Sequence, residues 1–274
     1  MPRSWPEDLP PWRLWVAFAA IALGFVVGEV GALLVDLVGL AGGASISHPT
    51  PAMTIIGSVV FDLGFVASAI LVASLSGRRR PVDFGFRLVH WRTAVAAVAV
   101  AAIGYYVLTA VYATAFSLHG SDKLPSSFGV SHSTWALVGT AAFVCALAPM
   151  AEEFFFRGFF FGSLRRLRVP VFGRELGPWI AAVITGILFG LAHTGSANTE
   201  YLIPLGFLGF VLCLVRWRTG SLYPGMALHS ANNSLALGVQ LHWSLLATVS
   251  LILGSWAVIA AIVGPLGARS PALA

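Results

Sequence analysis

Eight apolar stretches, separated by short polar or basic links, organise the chain at about residues 14–40, 52–75, 93–117, 133–163, 178–194, 201–215, 220–239 and 243–264. A helix rises about 1.5 Å per residue and the hydrocarbon core of a bilayer is about 30 Å thick, so each stretch is long enough, or nearly so, to cross it. The shortest, 201–215, is expected to tilt or to stop short of a full crossing. Strand-like alternation does not persist over useful lengths, which argues against a β-barrel. Because lipid offers backbone groups no hydrogen-bond partners, the spanning element is then helical. The expected fold is therefore all-α, a polytopic transmembrane helical bundle of about eight spans. Pro49, Pro51, Pro125, Pro170 and Pro178 punctuate the links, and no internal repeat is evident.

Composition agrees with the pattern. Of 274 residues, 58% are hydrophobic and only 10% charged, with a mean hydropathy of +0.86. Soluble domains carry about a quarter charged residues, and disordered chains lack this apolar content, so both classes are excluded. The net charge of +5 would suit nucleic acid, but fifteen of the sixteen basic residues are Arg, clustered between apolar stretches. Arg78, Arg79, Arg80, Arg87 and Arg92 share one link; Arg165, Arg166, Arg168 and Arg174 share another; Arg216 and Arg218 share a third. Arg3, Arg13 and Arg269 sit near the ends. With eight spans all of these fall on one side, whereas Lys123 is the only base in the alternate links. The positive-inside rule makes that side cytoplasmic, with both termini inside. The expectation is an integral protein of a bacterial plasma membrane, with no nucleic-acid partner. Cys145 and Cys213 lie in apolar segments without metal-ligand or redox spacing and read as small buried thiols. The first apolar stretch is too long for a cleavable signal and contains Glu29 and Asp36.

An ionisable side chain at membrane depth costs at least about 2.5–3.5 kcal/mol on insertion scales, so each one is a candidate functional group. The densest group is Ala151-Glu152-Glu153-Phe154-Phe155-Phe156-Arg157. Glu153 and Arg157 stand at i and i+4 and can neutralise each other, as structural support. Glu152 lies about 100° round the helix without such a partner and is the better general base. Phe189-Gly190-Leu191-Ala192-His193 closes one stretch, and His229-Ser230-Ala231-Asn232-Asn233 lies within another, with His229 and Asn233 one turn apart on one face. A carboxylate, two imidazoles and an amide are the kit for adding water to a carbonyl: a base, proton carriers and an oxyanion donor. Glu29 and Asp36, seven apart, share a face expected to point inward. They and Asp62 are read as structural or cavity-lining rather than catalytic.

These segments resemble the CPBP intramembrane proteases (the Abi family), which include the Ras-converting CAAX prenyl protease and lysostaphin-resistance-protein-like enzymes. The EExxxR pattern matches Glu152, Glu153 and Arg157, FxxxH matches Phe189 and His193, and HxxxN matches His229 and Asn233. The lead-in Thr219-Gly220-Ser221-Leu222-Tyr223-Pro224 is also similar. The resemblance covers about residues 135–240 and divides the chain into three N-terminal spans with their loops (1–130), a catalytic CPBP-like core (131–240), and a last span and tail (241–274). It implies an intramembrane endopeptidase acting on membrane-associated, possibly prenylated CAAX-type, proteins. Glu152 would activate water with His193, His229 and Asn233 would stabilise the oxyanion, and Glu153, Arg157 and Phe189 would support the site, with no cofactor.

Three alternatives stand beside this reading. Glu152, His193 and His229 would make a two-His-one-Glu set for Zn2+, although no HExxH is present. A transporter would use the same buried charges as a relay, and an immunity or scaffold protein would keep the fold without the chemistry. The charge rule also places Glu152 about 18 Å of helix from the cytoplasmic link and His193 near the outer end of its span. For the two to meet, the fifth span must start deep or tilt, or the Thr194–Thr199 loop must dip inward.

Overall fold

A computed structural model describes residues 12–77, 80–116, 128–130 and 133–268. Arg3, Arg78, Arg79, Lys123, Pro125 and Arg269 lie outside the described residues. The helices are α1 (Leu14–Ala41), α2 (Pro51–Leu75), a short α3 (Pro81–Phe84), α4 (Trp91–Phe116) and a composite α5 (Thr134–Leu164). After a two-stranded hairpin, β1 (Pro170–Val171) with β2 (Arg174–Glu175), come α6 (Gly177–Ala192), α7 (Leu202–Thr219), α8 (Tyr223–Gln240) and α9 (Leu245–Val263). Pro51 and Pro178 sit in the first turns of α2 and α6, where the missing N–H is harmless.

The eight apolar stretches each become a helix, but their lengths correct the sequence reading. Six helices are long and apolar enough to cross a membrane, among them Thr199–Thr219, in which a 3-10 turn extends α7 to 21 residues. The short one is α6, whose 16 residues reach only about 24 Å. His193 caps its C-terminal end, so the chain leaves the helix before a full crossing. Helix α8 is absent from the six because it carries His229, Ser230, Asn232, Asn233 and Ser234. Its polarity is affordable because much of the helix is packed inside the bundle.

Helices α1 and α2 pack through glycines: a Cβ on Gly24 would strike Phe65, one on Gly28 would strike Phe61, and one on Gly31 would strike Val60. Close approach on that face turns the neighbouring Glu29 outward, where it is exposed; Asp36 is half-buried. The expectation that Glu29 points inward is thus wrong, because the glycine face of α1, not its acidic face, makes the contact.

The basic link before α4 also does more than carry charge. Phe84 and Phe86 are buried, with Phe84 4.6 Å from both Trp12 and Phe154. Gly85, in the left-handed region at φ +107, lies where a Cβ would meet the Arg216 guanidinium. Arg216 Nη2 donates to the Phe84 carbonyl at 3.4 Å, Arg166 Nη1 to the Trp12 carbonyl at 2.8 Å, and Leu88 N to the Ala268 carbonyl at 2.9 Å. Both ends of the described chain and three arginine-bearing links therefore gather at one end of the bundle. The hairpin lies beside them, and the Val169 and Gly177 N–H groups, with Arg168, hold the exposed Glu175 carboxyl below its usual range. Phe155, Phe159, Phe160, Phe161 and Phe189 fill the core on which the polar groups rest. Cys145 and Cys213 are buried free thiols.

Candidate active site

Helix α5 departs from α geometry twice, at Phe143–Leu147 and Glu153–Phe160, where the backbone takes π turns. Such widened turns are uncommon and concentrate at functional sites. Pro149 explains a consequence of the first. In that register the Ala148 N–H bonds to the Phe143 carbonyl, so the next donor, residue 149, should serve Val144. Proline has no N–H, and the Val144 carbonyl is left without that partner. It accepts instead from Asn233 Nδ2 at 2.9 Å. A half-buried backbone carbonyl still needs a partner, and a side chain of α8 supplies it.

The second π turn carries Glu153 and Arg157, both fully buried, with Arg157 Nη1 2.8 Å from Glu153 Oε1. Arg157 Nη2 donates to the Gly209 carbonyl at 3.1 Å, and the guanidinium lies 4.2 Å over the Phe189 ring. The same Glu153 Oε1 is 3.2 Å from His229 Nδ1, so the imidazole donates Nδ1–H to the carboxylate. Glu153 Oε2 is buried without a hydrogen-bond partner, in the space left by Gly225, where a Cβ would come within 2.8 Å of it. Glu153 thus joins α5 to α8 as well as closing on Arg157, a contact that the i,i+4 spacing could not reveal.

The other ring nitrogen of His229, Nε2, lies 3.7 Å from Glu152 Oε2, a buried oxygen with no hydrogen-bond partner. The Glu152 side chain is 18% exposed, against 0% for Glu153. Only Glu152 of the two acids is open to a reactant. His193 is half-buried, and its Nδ1 faces the Phe189 carbonyl at 2.8 Å. A carbonyl only accepts, so Nδ1 carries the proton and the neutral ring keeps its lone pair on Nε2. The Phe189 ring stands between the two imidazoles, with centroids 4.8 Å from His193 and 5.6 Å from His229.

The structure therefore brings Glu152, Glu153, Arg157 and His229 into one chain of contacts, with His193 held beside it through Phe189 and Asn233 tied back to α5. The recorded ion-pair partner of Glu152 is His229 rather than His193. Asp62 on α2, a helix packed on this part of α5, has an Oδ2 that is likewise buried without a partner among the described residues. Asp62 and Pro149 are the members of this neighbourhood that sequence reasoning set aside or missed. Their signal was a lone acid and a lone proline, each inside an apolar stretch. Among the described residues no three His, Cys, Asp or Glu side chains gather closely enough to hold an ion.

The model of the family described as type II CAAX prenyl endopeptidase Rce1-like matches residues 134–235. Among curated proteins, the chain is 26% identical to the uncharacterized protein YyaK of Bacillus subtilis over 243 residues, 81% of this chain and 75% of that one. It is 30% identical to the UPF0177 protein YxdF of Lactococcus lactis over 87 residues, 32% and 42% of the two chains. An uncharacterized 24.3 kDa protein of Escherichia coli is 28% identical over 181 residues, 65% and 78%. No solved structure matches. The matched segment contains α5 to most of α8, and with them every residue of the contact chain.

Proposed function

For a chain that carries an Rce1-like domain over residues 134–235, we propose the role of an intramembrane endopeptidase that hydrolyses peptide bonds of membrane-associated proteins, prenylated CAAX-type substrates included. The observation that carries the reading is the division of labour between adjacent acids. Glu153 is closed off by Arg157 and His229, whereas the Glu152 side chain is 18% exposed and its buried Oε2 makes no hydrogen bond among the described residues.

In this reading Glu152 takes a proton from a water, assisted by the Nε2 lone pair of His193, as the water oxygen attacks the scissile carbonyl. His229 is gripped at Nδ1 by Glu153 and turns Nε2 towards the oxyanion. The second N–H of the Asn233 amide adds another donor. Collapse of the tetrahedral intermediate breaks the C–N bond, and Glu152 returns its proton to the leaving amine. The products are a carboxylic acid and an amine, and the acid's proton then passes to the amine to leave a carboxylate and an ammonium. Arg157 neutralises Glu153, and Phe189 spaces the imidazoles. Water activation is proposed to need no metal, since the acid and imidazoles suffice as base and donors. The gathering of basic links at one end supports a bacterial plasma-membrane orientation with both termini cytoplasmic.

The test uses purified protein in proteoliposomes with an internally quenched peptide ending in a farnesylated Cys-aliphatic-aliphatic-X sequence, and with its unmodified counterpart. Wild type should cleave, with or without a chelator. Glu152→Gln should keep its melting temperature and lose cleavage. Equal rates for wild type and Glu152→Gln would sink the assignment.

A further inference from the structure

The N-terminal spans lie outside the matched segment, yet one of them reaches the site. Helix α4 packs on α7 and α8 through Tyr105, which is buried with Leu208, Leu212 and Leu228. The next residue, Tyr106, is thereby held against α8, and its hydroxyl donates to Asn232 Oδ1 at 3.2 Å. Asn232 Nδ2 donates to Asn233 Oδ1 at 3.4 Å, and Asn233 Nδ2 donates to the Val144 carbonyl at 2.9 Å. Every bond in this series runs in the same direction, from the Tyr106 hydroxyl to the carbonyl freed by Pro149.

Direction matters because an amide can turn over and exchange its oxygen for its nitrogen. Were Asn233 reversed, its oxygen would face the Val144 carbonyl and its NH2 would face the NH2 of Asn232, an unfavourable contact at both ends. Were Asn232 reversed, its oxygen would face Asn233 Oδ1. A hydroxyl can donate or accept; here the Val144 carbonyl sets the order of the series, and the Tyr106 hydroxyl completes it by donating to Asn232 Oδ1, which anchors the Asn232 amide against Asn233. Each donor in such a series also polarises the next.

We infer that Tyr106 and Asn232 are positioning residues of the site, fixing the amide of Asn233 so that its remaining N–H points at the oxyanion. The inference rests on the endopeptidase reading for its catalytic consequence. The bonded series itself does not. Span α4 is then part of the catalytic apparatus, not a generic anchor.

Two readouts separate these levels. The chain contains three asparagines, Asn198, Asn232 and Asn233, so protein labelled with 15N-asparagine gives three side-chain NH2 pairs, assignable by single substitutions. Tyr106→Phe removes only the hydroxyl of a side chain that is 41% exposed. It should shift the Asn232 and Asn233 pairs, leave Asn198 in place, and leave the melting temperature unchanged. On the farnesylated quenched peptide, Tyr106→Phe should lower kcat about 3- to 10-fold with little change in KM, as expected for one neutral hydrogen bond acting through another group. Asn233→Ala should lose about 10²–10³-fold, the scale of a direct oxyanion donor. Tyr106→Phe added to Asn233→Ala should cost nothing more, because its effect passes through Asn233. Asn232→Leu, which has a similar volume, should match Tyr106→Phe and covers the case in which the latter folds poorly.

Unmoved Asn233 resonances in both variants would overturn the inference, as would multiplicative losses in the double variant. If wild type cleaves neither peptide, the endopeptidase reading falls. The resonances then still decide whether Tyr106 orders Asn233.

Discussion

Replacing Arg157 by Met tests whether the buried charges of α5 hold the helices together. The substitution keeps much of the side-chain volume and removes three contacts: the 2.8 Å ion pair to Glu153, the 3.1 Å bond to the Gly209 carbonyl and the guanidinium 4.2 Å over Phe189. Breaking a buried pair by deleting one partner costs about 3–5 kcal/mol, because the surviving charge is left uncompensated. Glu153 keeps His229 at 3.2 Å, which argues for the lower end of that range. Loss of the desolvated cation–π contact adds about 2 kcal/mol. A thioether against the Phe189 edge returns about 1 kcal/mol. The net is about 4 kcal/mol, and at about 2–4 °C per kcal/mol for chains of roughly this size the midpoint should fall by about 8–16 °C. Tryptophan fluorescence in detergent suits the measurement, since the chain has nine Trp. Glu153→Gln combined with Arg157→Met removes both charges and should melt well above the sum of the single losses, because the stranded carboxylate is gone. A midpoint for Arg157→Met within about 2 °C of wild type, or strict additivity in the double variant, would refute the reasoning.

Pro149→Ala restores an N–H that can bond to the Val144 carbonyl, so it should release Asn233 and lower kcat about 10-fold while leaving the fold stable or slightly more so, in line with proline's usual cost inside a helix; unchanged kcat together with an unchanged Asn233 amide signal would reject the role given to Pro149. For orientation, single cysteines at Ser45 and Arg168, both exposed at opposite ends of the bundle, should react with a membrane-impermeant maleimide from opposite faces, Arg168→Cys from the cytoplasm, and same-side labelling would reject the assigned topology. Native Cys145 and Cys213 are buried and should stay silent.

The eight stretches and the acid, histidine and amide motifs were legible because each is a local pattern: hydropathy over about twenty residues, or a spacing that puts two side chains on one face. What escaped was geometry that sequence does not phase. The run Phe154-Phe155-Phe156, followed after Arg157 and Gly158 by Phe159-Phe160-Phe161, is apolar all round, so no periodicity could show that α5 widens into π turns there. Spacing proposed Glu153 with Arg157, and that pair formed, but the second bond of Glu153 crosses to α8 and depends on tertiary packing. Glu29 and Asp36 did share a face by their separation of seven. Which face α1 buries was decided by Gly24, Gly28 and Gly31 instead. The end of α6 was legible to within two residues, since the polar run from His193 to Glu200 follows it; the full length of α7 was not, because Thr199 and Glu200 dilute the hydropathy of its first turn.

The irregular places of the molecule coincide with its buried polar groups for a common reason. A regular helix in lipid consumes its own carbonyls and offers a site nothing but side chains. Pro149 and the first π turn break that economy at Val144 and produce a fixed acceptor that orients Asn233. The second π turn carries Glu153, whose buried carboxylate is neutralised by Arg157 on the same helix and then grips His229 on another. Helix α6 stops at His193, so the imidazole lies at a helix end with Nδ1 on the Phe189 carbonyl one turn earlier. Each departure supplies orientation to one polar group, and none of these groups is oriented by bulk water. Rigidity of this kind is what an oxyanion site requires, since donors already in place need no rearrangement as charge develops. The acid left outside these arrangements is Glu152, with its open side and unpartnered oxygen, and a general base needs that freedom to take up a proton and give it back.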